Sequence, residues 1–235
     1  SGRLDPHGHA IPLIAETGGQ NALIVDSSAL SEQVVFDVLN SAFDSAGQRC
    51  SALRILCLQE DAADHILTML KGAMKELSVS RPDLLSADVG PVIDQEAKTV
   101  IERHIEKMRQ AGHRVEQISL DKNTEFGTFV APALIEINDI AELEREVFGP
   151  VLHVVRYQRQ SLDTLVNAIN QTGYGLTFGI HSRIDETITH LSNRILAGNI
   201  YVNRNIVGAV VGVQPFGGQG LSGTGPKAGG PLYLF

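Results

Sequence analysis

The sequence predicts an α/β fold, a mostly parallel sheet covered by helices on both faces. Three observations carry this. Short apolar runs that read as strands alternate with amphipathic stretches that read as helices. Val151–Tyr157 is strongly apolar, as expected of a strand buried on both faces. The chain has 235 residues, 43% of them hydrophobic, enough for a substantial core.

Taken in order, Ser1–Ala10 is polar, aperiodic and interrupted by Gly and Pro, and reads as a flexible lead-in. Ile11–Ala15 and Ala22–Val25 read as short strands separated by Gly18-Gly19. Ser31–Ala46 places Val34, Val35, Val38, Leu39 and Ala42 on one helical stripe, with Ser31 as N-cap and Gly47 as the stop. Ala52–Gln59 is the next strand, Asp61–Leu77 an amphipathic helix and Arg81–Pro91 a loop. Asp94–Ala111 is a helix ended by Gly112, with His104 and His113 on its solvated side. Arg114–Ile118 and Phe129–Ile137 read as strands. Beyond Val151–Tyr157 come a helix at Leu162–Asn170, a strand at Leu176–His181, a helix at Glu186–Ile195 and a strand at Asn199–Asn203. Val207–Gly230 is Gly-rich and irregular, as functional or mobile segments are. Within it, Gly218–Gly223 matches the spacing GxGxxG. No strand leads into it and no helix follows, so it is not a dinucleotide fingerprint.

Composition removes several function classes. Net charge is −8 with both signs interspersed, so no basic face offers itself to nucleic acid. No apolar run has the length of a membrane span, and no signal peptide is expected. Cys50 and Cys57 are separated by a strand-like stretch that holds them too far apart to bridge, and free thiols suit a reducing cytoplasm. His7 and His9 flank Gly8 without further ligands nearby, so no metal site is expected.

Cys50 lies in a tight helix-to-strand loop, within Ala42–Arg54 (AFDSAGQRCSALR). Such a cysteine is ordinarily a small packed residue. Here a second loop, Glu16–Gly19, adds a carboxylate, giving a nucleophile and a base. A thiolate can add to an electrophilic carbonyl carbon, and a general base can direct water onto the acyl-enzyme that follows. Cys50 suits the first role and Glu16 the last. The thiolate is the reactive form, so some local feature should favour it. Arg49, adjacent in sequence, is not assigned that task. The Cys50 backbone N–H is one donor for the oxyanion.

Four motifs occur in order: AETGG at Ala15–Gly19, GQRCS at Gly47–Ser51, EVFGP at Glu146–Pro150 and QPFGG at Gln214–Gly218. Together they resemble the aldehyde dehydrogenase superfamily. More narrowly, AFDSAGQRCSALR, YVNRN, GAVVGVQPFGG and LSGTGPKAGGPLY are similar to the L-glutamate γ-semialdehyde (1-pyrroline-5-carboxylate) dehydrogenase domain of bifunctional proline utilization A flavoproteins. The resemblance runs from about Ile11 to Phe235 and omits the family's N-terminal half. It implies a three-layer α/β/α catalytic domain at 21–235, with 1–20 the end of a cofactor-binding domain. It implies NAD as cofactor, with Glu146 on the nicotinamide ribose and Phe148 walling the ring. It also implies a substrate carboxylate held by Gly208 and Ala209, with Ser51 donating and Phe216 on the methylene chain. Arg204 and Lys227 are read as solvent-facing or structural. The second oxyanion donor is expected in the absent half; Asn21 does not match its motif. The full-length protein is expected to be a cytoplasmic homo-oligomer, at most peripheral at the membrane, with FAD confined to a separate proline dehydrogenase domain. Two other readings stand beside this one: a cysteine hydrolase using Cys50 and Glu16, and a non-catalytic fragment or assembly module.

Overall fold

The computed structural model describes residues 3–11 and 13–234. Its main sheet is built from β1 (Asn21–Val25), β2 (Leu53–Gln59), β3 (Arg114–Gln117), β4 (Ala133–Ile137), β5 (Val151–Tyr157), β7 (Thr177–His181) and β8 (Asn199–Val202). The strand order is β3-β4-β5-β2-β1-β7-β8, and every pairing is parallel except β3 with β4. Two short strands, β6 (Tyr174–Gly175) and β9 (Gln219–Gly220), form a separate antiparallel ribbon. The helices are α1 (Ser31–Phe43), α2 (Glu60–Lys75), α3 (Gln95–Gln110), α4 (Leu162–Gln171) and α5 (Asp185–Arg194).

The central strands β1 and β2 are buried along their whole length, as their apolar sequences require. The chain steps one way across the sheet from β1 to β2, and the other way from β5 to β7 and β8. Right-handed crossovers then place α4 and α5 on the face opposite α1, giving three layers. α2 lies against α1, through buried Ala63, Ile66, Leu67, Leu70 and Met74.

Several elements differ from the sequence reading, each for a local reason. α1 begins at Ser31 itself: Leu30 occupies the cap position, with no side-chain cap. α1 ends at Phe43, and Asp44–Gly47 forms a single 3-10 turn in which Ser45 (φ 56°), Ala46 (φ 54°) and Gly47 (φ 65°) are left-handed. Ile11–Ala15 is not a strand; residue 12 lies outside the described residues, and Leu13 and Ala15 bond to Thr224. Phe129–Pro132 leads into β4 without pairing as a strand. The lead-in is a closed turn: Leu4 bridges Ala10, and Asp5 accepts from the His7 and His9 amides; Ser1 and Gly2 lie outside the described residues. His104 and His113 are not solvated. His104 Nε2 is 2.8 Å from buried His153 Nε2, and His113 Nε2 is 2.7 Å from Glu142. Among the described residues no helix is long and apolar enough to cross a membrane, and both cysteines are free.

Candidate active site

Expected site residues from three of the motifs stand at the amino ends of the parallel strands. Glu16 precedes β1, Cys50 precedes β2, and Glu146 and Phe148 precede β5. The turn into Cys50 needs Gly47 twice over. Its φ is positive, and a Cβ there would stand 2.2 Å from the Gly149 carbonyl oxygen. GQRCS and EVFGP are therefore in backbone contact.

Asn21 fixes the loop from below. A register shift between Asn21 and Ala22 interrupts the β1–β2 ladder, and such a bulge re-aims a side chain. Asn21 Nδ2 donates to the carbonyls of Cys50 (2.7 Å) and Ala52 (2.8 Å), and its Oδ1 accepts from the Thr177 amide (3.1 Å). Thr177 Oγ1 donates to the Ser51 carbonyl at 3.2 Å. Two strands, β1 and β7, thus hold the Cys50 loop through two side chains. Ser51 itself is buried.

Arg54 is the charged residue that the sequence reading passed over. It sits in the otherwise apolar β2 and is only 1% exposed. A buried charge of this kind is rarely without a partner. Its guanidinium donates twice to Glu146 Oε1 (3.3 and 3.0 Å), to the Gly149 carbonyl (3.0 Å) and to the Arg49 carbonyl (3.2 Å). It also lies 5.2 Å from the centre of the Phe148 ring. Glu146 Oε2 accepts from the Gly19 amide at 3.0 Å. A Cβ on Gly18 would come within 1.8 Å of that same oxygen. Glu146 is therefore held by AETGG on one side and by Arg54 on the other, rather than projecting freely. Burial raises the Glu146 carboxyl, and the charge and hydrogen bond of Arg54 oppose the rise.

Cys50 is half-buried, and burial raises its thiol. The negative charges of Glu146 and Glu16 push it further in the same direction, which also marks both carboxylates as neighbours. The backbone amides of Ser51 and Cys50 act the other way and favour the thiolate, without offsetting the rise. The Arg49 Nε donates to Ser45 Oγ on the exposed side of the loop. Glu16 is exposed, with its carboxyl raised by burial. Its Oε1 would lie 3.0 Å from a Cβ on Gly217, so AETGG also meets QPFGG. Its backbone bridges Gly223.

Gly208 is exposed, left-handed (φ 77°) and has open space around it. Ala209 is half-buried, and neither amide donates to a protein acceptor among the described residues. Phe216 is half-buried and its backbone pairs with Ala228. Lys227 Nζ donates to the Gly198 carbonyl, and the Arg204 guanidinium lies 5.0 Å from the Tyr201 ring centre.

The residues present fit one end of a dinucleotide. Phe148 is 45% exposed and stands beside a carboxylate. A cavity of about 270 Å³ continues from Glu146 and Val147 past Val100, Arg103, His104 and Lys107. Among the described residues no cluster of three or more metal-ligating side chains forms.

Comparisons with known proteins give the chain's relatives. The model of the aldehyde dehydrogenase family matches residues 5–234. The chain is 66% identical over 239 residues to the bifunctional protein PutA of Klebsiella aerogenes, covering 99% of this chain and 18% of that protein. It superposes on a crystal structure of bifunctional proline utilization A with a TM-score of 0.91 and 56% identity, over 95% of this chain and 22% of that one. Against 1-pyrroline-5-carboxylate dehydrogenase from Thermus with bound NAD the TM-score is 0.83 at 35% identity, over 92% and 42% of the two chains. The chain thus spans about a fifth of the length of the bifunctional relatives.

Proposed function

This chain belongs to the aldehyde dehydrogenase family, and we propose that it is the nucleophile-bearing part of an NAD-dependent enzyme oxidising L-glutamate γ-semialdehyde to L-glutamate. The observation that carries the proposal is the meeting of the four motif loops at one sheet edge. Gly18 and Gly19 touch Glu146, Gly47 touches Gly149, and Glu16 touches Gly217. The relatives named PutA and 1-pyrroline-5-carboxylate dehydrogenase support the substrate class.

In this mechanism the Cys50 thiolate adds to the aldehyde carbon, and the Cys50 amide donates to the oxyanion. NAD supplies the hydride acceptor, its riboside end held by Glu146 and Phe148. A thioester on Cys50 remains. Glu16 takes a proton from water, which attacks the thioester, releases the carboxylate and frees the thiolate. Gly208, Ala209 and Ser51 hold the substrate's α-carboxylate through N–H and O–H donors, and Phe216 lines its methylene chain. Residues 1–20 then close a cofactor-binding domain, and 21–235 form the catalytic domain. In a longer bifunctional protein FAD belongs to a separate proline dehydrogenase domain. We place that protein in the cytoplasm, as a homo-oligomer.

The test has two arms. With the cofactor-binding half present, glutamate semialdehyde and NAD+ give NADH, and Cys50→Ala abolishes both this activity and thiol labelling at the site. For the 235 residues alone, calorimetry gives no NAD+ binding, because two contacts do not offset the ordering cost of a large cofactor. Retained turnover in Cys50→Ala, or micromolar NAD+ affinity in the isolated chain, overturns the respective arm.

A further inference from the structure

The segment joining β8 to the Gly208-Ala209 loop has no regular secondary structure, yet it is firmly tied. β8 runs parallel to its neighbours and ends at the carboxyl edge of the sheet, away from Cys50. Asn203 turns there with φ 51°. Its side chain exchanges two hydrogen bonds with the Ser182 backbone, at 3.0 and 2.9 Å. The chain then returns alongside α1 toward the amino edge.

Three polar side chains of α1 meet this segment in step. Gln33 Nε2 donates to the Asn203 carbonyl at 2.6 Å. The Asp37 carboxylate faces the Asn205 amide. Ser41 Oγ accepts from the Ile206 amide at 3.1 Å. These positions are four apart, so they form one stripe of the helix. Eight residues of helix rise about 12 Å. The three steps from Asn203 to Ile206 reach roughly 10 Å when extended. Helix and segment therefore stay in register along the whole stripe. Ile206 is fully buried and lies over Gly179, where a Cβ would come within 2.7 Å of it.

Asp37 makes a second contact that the chemistry of Cys50 does not use. Its Oδ2 is 3.3 Å from His181 Nε2, both side chains are buried, and neither atom has a hydrogen-bond partner among the described residues. Burial raises the Asp37 carboxyl and lowers His181 to about 4, so each is driven toward its neutral form. The same helix runs on through Phe43 and the Asp44–Gly47 turn into the Cys50 loop.

We propose that Gln33 and Ser41, with Asp37 between them, are positioning residues for the substrate loop: the α1 stripe fixes the span from Cys50 to Gly208-Ala209, and with it the length of aldehyde that fits. This rests on the reading of Gly208-Ala209 as the carboxylate site. Two variants test it, Gln33→Ala and Ser41→Ala.

With the cofactor-binding half present, each raises KM for glutamate semialdehyde by about tenfold, the effect of one lost hydrogen bond. KM for propanal, which has no carboxylate, and kcat for propanal stay within about twofold. Equal rises for both aldehydes, or none, overturn the proposal. Hydrogen exchange on the 235-residue chain needs neither cofactor nor substrate. Peptides over 203–209 exchange faster in both variants, while those over 44–52 do not change. Unchanged exchange at 203–209, or acceleration throughout the sheet, overturns the stripe's local role. If the unmodified protein does not oxidise glutamate semialdehyde, the substrate reading falls, and the exchange result still decides whether α1 holds the loop.

Discussion

Replacing Arg54 by Met keeps much of the apolar stem and removes the guanidinium. The change strands the Glu146 carboxylate, whose side chain is only 12% exposed, with the Gly19 amide as its remaining partner. It also removes one of two donors to the carbonyls of Arg49 and Gly149, which keep the Ala52 and Val151 amides. Removing one member of a buried ion pair costs about 3–5 kcal/mol, because the other charge stays behind uncompensated. In a domain of this size each kcal/mol lowers Tm by about 2–4 °C, so Arg54→Met should melt about 6–20 °C lower. Urea unfolding gives the same loss as a free energy. Glu146→Gln should also destabilise, and the double variant should be less unstable than the sum of the two singles. A loss under about 1 kcal/mol, or strict additivity, would mean that the guanidinium does not hold EVFGP to GQRCS.

Three further outcomes are expected. Alkylation of Cys50 in the isolated chain should have a pH midpoint above the ordinary thiol value of about 8.5. Glu146→Gln should lower that midpoint, because its negative charge disfavours the thiolate; a midpoint unmoved by this change separates the carboxylate from the thiol. Buried His153 and His181 are held down to about 3 and about 4, against about 6.5 when unfolded. Their contribution is complete above pH 6.5 and is lost as pH falls toward 4. Stability over that window should drop by roughly 2–3 kcal/mol per pH unit, and a flat profile in urea titrations at pH 6.5 and 5 would contradict it. Glu16→Gln, with the cofactor-binding half present, should give one NADH burst followed by slow turnover; a lost burst with intact cofactor binding would place Glu16 earlier in the reaction.

Much of the sheet was legible because its strands carry their own signal. Val151–Tyr157 is as apolar as a doubly buried strand must be, and its ends agree with the sequence reading. Ile11–Ala15 looks equally strand-like but finds its partner in a Gly-rich stretch more than two hundred residues away, which no local pattern reveals. The polar contacts were the least visible. His104 reads as a surface residue of α3 until β5 brings His153 against it. Glu146 reads as an open carboxylate until β2 places Arg54 beneath it. Arg54 did leave a trace, a lone charge within LRILCLQ, and a buried charge implies a partner even when the sequence does not name it. Asn21, set aside as an oxyanion donor, proved to hold the nucleophile loop instead.

The tie between the two ends of the chain bears on the order in which the molecule assembles. Thr224 bonds to Leu13 and Ala15, Ser222 accepts from the Thr17 amide, and Gly223 bridges Glu16. Contacts separated by some two hundred residues form late, after the sheet has brought their neighbourhoods together. During synthesis β1, α1 and β2 emerge early, and the nucleophile turn with them. Glu16 must wait for residues 222–224 before it acquires a fixed place. A protease cut in the exposed Val210–Val213 stretch would undo that final step alone. It would leave the chain from β1 to β8 continuous, while the peptide that holds the base stayed joined to it only by non-covalent contacts.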